Sequence, residues 1–362
     1  MLSMATIKDR FLWTAEFFLS VGVSLLVQAE TGPKVPGVAQ INPAAIAYSQ
    51  ASGKVYAVDK ERNSVAICDD ATGETKRVKV GAGPVSIVVN AITGKAYVVN
   101  ADDGTVSVID GKSDAVLATL KVGAHPYSIA LNSTTGKVYV SRTYSDQVMT
   151  IDGANDSVTE TKTGAMDAIA VDARRGAVYL IGYETDKVTM LDEASHVVSR
   201  KFAGMHLWGI ANDEATGTVY VTRPQDREVM ALTPGSAAVP IPTGEMPTAV
   251  AVNSRTNKVY VSNYADNSVT VIEGEAKRAI ASVPVGERPQ AIVVDAQNKR
   301  IYVANTQSDS VTVVDGDSNR VLATLPAGRK PYALAINPKA GMLHIANLDE
   351  HATTVIDVRS IR

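Results

Sequence analysis

The sequence predicts an all-β fold, a β-propeller of eight four-stranded blades. Two observations predict it. Tyrosine recurs as Tyr56, Tyr97, Tyr139, Tyr179, Tyr220, Tyr260 and Tyr302, with His344 in the eighth place, at spacings of 41, 42, 40, 41, 40, 42 and 42 residues. Within each period, four short apolar segments alternate with turn signals, the grammar of a propeller blade. Composition agrees: there are 4 Phe against 13 Tyr, and the Val, Ile and Ala that dominate the rest suit tightly stacked strands.

The elements follow in a fixed order. Strand one comes after a proline, as in "PYSIALN" from Pro126 and "PQAIVVD" from Pro289. A turn such as "STTGK" or "SRTNK" follows, where Gly or Asn supplies the left-handed residue of a tight hairpin. Strand two is of the "KVYVSN" type, and a polar loop separates it from strand three, whose residues alternate in polarity. Asp-Gly or Glu-Gly then turns the chain into strand four, which reads "VLATL" at both Val116–Leu120 and Val321–Leu325.

Strands one, two and three occur eight times, whereas clear fourth strands occur seven times, because the last copy stops after "TTVIDV" at Val358. The missing strand is expected from "KVPGVAQ" at Lys34–Gln40. It would complete the last blade and remove two exposed edges. A seven-bladed ring with one irregular terminal copy is the alternative.

Ahead of the repeats, Lys8 and Arg10 precede the apolar run Phe17–Val27, and Val27-Gln28-Ala29 has small or apolar residues where a signal peptidase reads. This layout predicts a signal peptide over residues 1–29 cleaved after Ala29, and a single propeller domain over 30–362, periplasmic or secreted. The run is too short to span a bilayer, so no stable membrane span is expected after cleavage. The other reading of the segment is a helix or strand that stays on the domain. The net charge of −3 provides no basic field for nucleic acid. Cys68 is the only cysteine, which excludes an internal disulfide and a CxxCH haem attachment. It aligns with Ile109 and Ile272 and reads as a small buried hydrophobe.

"KAYVVN", "KVYVSN" and "RIYVAN", each followed by a strand such as "SVTVIE" or "SVTVVD", resemble the YVTN-family β-propeller repeat over about residues 43–358. The resemblance implies the propeller fold and a secreted or surface setting. It is similar in repeat to the haem-binding propeller of cytochrome cd1-type nitrite reductases and their maturation proteins, and to a periplasmic propeller that binds single-stranded DNA. It leaves the function of this chain to be argued from a site.

Departures between the copies point to that site. The position closing strand two reads Asp59, Asn100, Arg142, Gly182, Arg223, Asn263, Asn305 and Asn347. Asn suits a turn. Arg142 and Arg223 instead supply a forked cation, as ligand contacts or as two solvated loop residues. The residue leading into strand one reads Gly83, His125, Ala165, His206, Met246, Arg288 and Lys330 in blades two to eight. Two residues on, Tyr127, Trp208 and Tyr332 occupy equivalent places. These side chains, with Tyr144, Tyr183 and Tyr264 of the neighbouring loops, predict a ligand-binding rim at the channel mouth.

The rim histidines are too widely spaced to share one metal ion, so no metal site is expected, and His344 is explained by packing. No cofactor is required, although a haem-type tetrapyrrole would suit His125 and His206. Single-stranded nucleic acid would suit the rim aromatics, but Asp102, Asp103, Asp146, Asp186, Asp226, Asp266 and Asp309 in the loops oppose it. No nucleophile elbow, Walker loop, HExxH or dinucleotide fingerprint is present. The expectation is therefore a monomeric, non-catalytic module that binds a small ligand or an extracytoplasmic protein. A redox or tetrapyrrole-associated protein, and a hydrolase or lyase with a dispersed acid–base site, are the alternatives.

Overall fold

Alternating apolar residues make each repeat a small antiparallel sheet, and the computed structural model describes these sheets through residues 45–164, 166–349 and 353–361. The strands form eight sheets, spanning 46–79, 84–121, 126–162, 168–202, 210–242, 247–284, 289–326 and 331–357. We number these blades 1 to 8. Blades 1 to 7 have four strands in sequence order, and blade 8 has three among the described residues. The signal segment and the expected closing strand at Lys34–Gln40 lie outside the described residues. The first strand of each blade adjoins the first strand of the next, and Pro331–Asn337 of blade 8 adjoins Ile46–Tyr48 of blade 1. The ring of blades is therefore closed, with eight members.

Burial follows strand position. In blade 2 the second strand, Lys95–Asn100, is almost wholly buried, whereas the fourth, Ala115–Lys121, is mostly exposed. Tyr97 pairs with Val88 on one side and Val108 on the other. It packs with Val138 and Val140 of blade 3. The tyrosine of each repeat is thus a wedge between blades, which is why the period of the sequence is the period of the ring.

Its far end meets the next blade's turn. A Cβ on Gly111 would lie 2.4 Å from Gly94 O and 2.9 Å from the Tyr56 hydroxyl. Gly153 stands in the same relation to Tyr97, and Tyr220 donates to Gly274 O at 3.5 Å. Lysine at the start of strand two reaches the same turn: Lys54 Nζ donates to Gly111 O at 3.1 Å and to Asp114 at 2.8 Å, and Lys95 repeats this with Gly153 and Asp156. Such charge-assisted bonds between half-buried groups are stronger than neutral ones.

At the seam between blades 8 and 1 both partners change. His344 replaces the tyrosine and Asp70 the glycine, and His344 Nε2 lies 2.7 Å from Asp70 Oδ1. Packing alone therefore does not account for His344: it is fully buried and bonded across the seam. Cys68 is only half-buried, less enclosed than the hydrophobe its alignment suggests.

The position closing strand two has a definite task. Asn100 Nδ2 donates to Thr105 Oγ1 at 3.0 Å and Ser107 Oγ at 2.9 Å, and Asn263 and Asn305 repeat both bonds. Arg142 and Arg223 do this work with longer arms, so they are not the solvated cations the turn argument suggested. Arg142 Nη2 donates to Ser145 Oγ at 2.9 Å and Gln147 Oε1 at 2.6 Å. The Arg223 guanidinium is paired with Glu228 and Asp226, and its side chain is 18% exposed. Gly204 makes room for it, since a Cβ there would fall 2.4 Å from Arg223 Cζ.

Three stability outcomes follow. Tyr97→Ala should cost about 3–5 kcal/mol, as large-to-small core changes do. Tyr97→Phe should stay within about 1 kcal/mol of wild type, because its buried hydroxyl has no hydrogen-bond partner among the described residues. Arg223→Ala should cost about 1–3 kcal/mol by leaving Glu228 unpaired. Urea unfolding midpoints at constant m-value check all three.

Candidate functional site

The lead-in to the first strand is held in the left-handed backbone region, with φ of +64° at Gly83, +53° at His125, +59° at His206, +51° at Met246, +53° at Arg288 and +52° at Lys330. Glycine takes this conformation freely, whereas an L-residue costs about 1–2 kcal/mol. Five of these six places carry a side chain. The lead-in carbonyl then accepts from the residue just past strand two: Thr143 N–H to His125 O at 2.9 Å, Tyr264 to Met246 at 2.9 Å, Thr306 to Arg288 at 3.1 Å and Leu348 to Lys330 at 3.1 Å. Lead-in and loop are thereby tied at one rim. Ala165 lies outside the described residues.

A bulge follows the lead-in. Pro331 pairs with Asn347 and Ala333 with Ala346, so Tyr332 is skipped by the ladder. Val85 is skipped in the same way in blade 2 and Gln290 in blade 7. A bulge re-aims the side chain it releases. Hydroxyls from the preceding blade fix this level of the ring: Ser86 Oγ donates to Tyr127 O at 2.7 Å, and Ser141 Oγ to Asp167 O at 3.2 Å. The equivalent residues are Val85, Tyr127, Asp167, Trp208, Thr248, Gln290 and Tyr332.

The rim aromatics gather chiefly where blade 4 meets blade 5. Tyr183, in the loop after strand two of blade 4, lies 5.2 Å from the His206 ring and 6.0 Å from the Trp208 ring, centroid to centroid. The Tyr183 and Trp208 planes stand at 84°. Gln225 Nε2 donates to the Tyr183 hydroxyl at 3.1 Å, and the Tyr183 N–H donates to Asp167 Oδ2 at 2.9 Å. Gly209 is what lets Trp208 sit here, because a Cβ on residue 209 would fall 2.2 Å from Thr248 O. The three rings are each half-buried.

The other sequence-predicted residues separate into smaller groups. His125 meets Tyr144 edge-on at 6.3 Å, and Tyr144 is 68% exposed. Arg288 covers Tyr264 at 5.4 Å and donates to its hydroxyl at 3.3 Å. Tyr264 is therefore buried and does not present a face for a base to stack on. Lys330 pairs with Asp349 at 3.0 Å. Met246 is half-buried at its lead-in, and Arg142 and Arg223 belong to the scaffold below the rim.

Asp167 and Gln225 are the members that sequence reasoning missed. Asp167 stands in the column of Tyr127, Trp208 and Tyr332, so comparing that column across all the copies would have found it. Burial pushes its carboxyl above the ordinary range, partly offset by the bond from Tyr183 N–H. Burial also raises the Tyr127 phenol, and the charge of Asp167 adds to the shift. Burial, with the charge of Asp59, pushes Tyr332 up to about 12. At neutral pH these phenols are uncharged, and the mouth offers ring faces and hydrogen-bonding groups.

The fold is shared with solved proteins of very different sequence. Dihydro-heme d1 dehydrogenase NirN in complex with DHE superposes with a TM-score of 0.75 at 13% identity, covering 92% of this chain and 80% of that one. Kuenenia stuttgartiensis hydrazine synthase gives 0.63 at 18%, covering 92% and 100%. A functionally unknown protein from Desulfotomaculum acetoxidans DSM 771 gives 0.61 at 12%, covering 81% and 98%. At such identities the likeness is one of fold. No curated protein sequence matches the chain. The YNCE-like beta-propeller family model matches residues 21–341, most of the eight repeats. The chain belongs to the YNCE-like beta-propeller family.

Proposed function

We propose that the chain is a non-catalytic binding propeller acting outside the cytoplasm, and that its ligand seat is the rim where blade 4 meets blade 5. The observation that carries this reading is the cluster of Tyr183, His206 and Trp208, three half-buried rings, two of them nearly perpendicular. Rings set in this way form a corner that holds a flat ligand, or a partner's ring, by stacking on one wall and edge contact with the other. A stacked base-like ring is worth about 1–3 kcal/mol. Gln225 and Asp167 flank the corner and supply the few polar groups that orient a ligand. Left-handed backbone alone would not single out this place, since Lys277 and Lys299 adopt it in turns on the opposite rim. The N-terminal layout of a secretory signal supports the location.

A tetrapyrrole is the second reading. His206 offers an imidazole beside two flat rings, and one structural neighbour is in complex with DHE. His206 would hold such a group from one side, with Tyr183 and Trp208 as walls, and His125 is a second candidate ligand. The group would supply iron redox chemistry.

Trp208 makes the proposal measurable. The chain has two tryptophans, and the other, Trp13, lies in the expected signal segment. Emission of the mature protein therefore reports the corner. Titration with planar aromatic compounds, hemin and single-stranded oligonucleotides should find quenching by at least one. Its Kd should rise at least about tenfold (about 1.4 kcal/mol) in Tyr183→Ala and His206→Ala. Wild-type affinity in both variants overturns the seat. Hemin that produces no Soret shift, or one unchanged in His206→Ala, removes the second reading.

Asp167 provides a pH test. Its folded pKa lies above its ordinary value of 3.8, so the ionised carboxyl destabilises the fold. The penalty is absent below the unfolded pKa and complete above the folded one. Asp167→Asn keeps an acceptor for Tyr183 N–H. It should raise Tm at pH 7, with the gain disappearing as pH falls toward 3.8. A Tm difference that is flat with pH would contradict this.

A further inference from the structure

Four blade seams join tyrosine to glycine, at Gly111, Gly153, Gly274 and Gly316, but the seam between blades 8 and 1 joins His344 to Asp70. A third departure lies beside them. Cys68 stands where Ile109, Ile151 and Ile272 stand in their blades. Three positions, two of them close in sequence and the third 274 residues from Asp70, change together from packing residues to metal-ligating ones. We propose that Cys68, Asp70 and His344 form a zinc-binding site that fastens the last blade to the first.

The ligating atoms of the three side chains all lie within 4.8 Å of one another. Zinc bonds of about 2.0–2.3 Å place ligands about 3.3–3.8 Å apart, so the cluster closes on an ion by shifts of about an ångström. A thiolate, an imidazole and a carboxylate make a mixed donor set that suits zinc better than calcium or magnesium, which take oxygen. The fourth position of a tetrahedral ion would fall to water or to an exogenous ligand, and Cys68 is exposed enough to let an ion in.

Two further observations support a ligand here. Asn337 Nδ2 donates to Asp70 Oδ2 at 2.7 Å, which fixes the carboxylate as outer partners fix metal ligands. His344 has no solvent-exposed surface, and its Nδ1 is buried without a hydrogen-bond partner among the described residues. The buried hydroxyls of Tyr56, Tyr97, Tyr260 and Tyr302 also lack partners among the described residues, but an imidazole nitrogen, unlike a phenol, is a common metal ligand. Glu193 makes the contrast. It replaces the same glycine in blade 4, but there Thr135, Asn132 and Lys137 satisfy its carboxylate and the preceding tyrosine, Tyr139, is kept.

Untagged full-length protein, stripped with chelator and reduced, should bind one zinc ion per chain in calorimetry, with a Tm that rises with zinc concentration. Cobalt(II) in place of zinc should give a thiolate-to-metal charge-transfer band. Cys68→Ser should abolish that band and weaken zinc binding at least a hundredfold. Asp70→Gly with His344→Tyr restores the pair used at four of the other seams. This double variant should fold and lose zinc binding, which separates the site from the integrity of the ring. No stoichiometric zinc binding by the wild type overturns the proposal. Equal affinity in Cys68→Ser and in the double variant also overturns it.

Discussion

Everything in this protein depends on one constraint: a four-stranded blade has two apolar faces and no means of covering either by itself. Each must be covered by another blade, and a closed ring is the arrangement that leaves none bare. The same contact must then work at every seam. Its parts are a tyrosine wedge from one second strand at seven seams and, at several of these, a glycine that yields space in the next blade's turn and a lysine that spans the two. Because the contact is repeated, the residues that make it are repeated. Deviation at one seam is felt at that seam only, so the ring tolerates local novelty.

This explains how much of the protein was legible in its sequence. The eight-fold period was legible because Tyr56 and its equivalents each meet the same steric demand. The expected signal segment and closing strand rest on pattern alone, since they stand outside the repeat that makes comparison possible. Arg142 and Arg223 have scaffold partners that their own column does not reveal. Asn in that column was taken to stabilise its own turn, but its amide bonds to hydroxyls five and seven residues later, as in Asn100 to Thr105 and Ser107. A guanidinium does the same work if its partners change too, and they do. Gln147 and Glu228 stand five residues after the arginines. A one-column comparison cannot see a compensated pair.

The candidate site was legible in part for the same reason. His206, Trp208 and Tyr183 stood out as departures, but only the bulge and the lead-in conformation bring them to one corner. Tyr264 and Arg288 departed just as plainly and turned out to satisfy each other. Asp167 escaped notice because only the aromatic members of its column, Tyr127, Trp208 and Tyr332, stood out. Single departures thus mark candidates, and partners distinguish use from repair. Where the partner lies within the scaffold, as with Arg223 and Glu228, the change is compensated.

The same criterion separates the two most unusual places in the ring. At the blade 4–5 corner, the rings meet one another and a few polar groups, and their faces remain half-open at a rim where nothing in the scaffold requires aromatics. At the closing seam, a histidine and an aspartate replace a tyrosine and a glycine, and the exchange leaves a buried imidazole nitrogen unsatisfied. Glu193 and Asp70 both stand in place of the same glycine; Glu193 is satisfied by Asn132, Thr135 and Lys137 with the seam's tyrosine kept, whereas Asp70 is bonded to the histidine that replaces the tyrosine. A buried unsatisfied polar atom costs about 1–3 kcal/mol, and the hydroxyls of Tyr56, Tyr97, Tyr260 and Tyr302 are likewise buried without partners among the described residues, so that cost is common to several seams. What sets the closing seam apart from the scaffold is its residue types, a thiol, a carboxylate and an imidazole with their ligating atoms within 4.8 Å of one another.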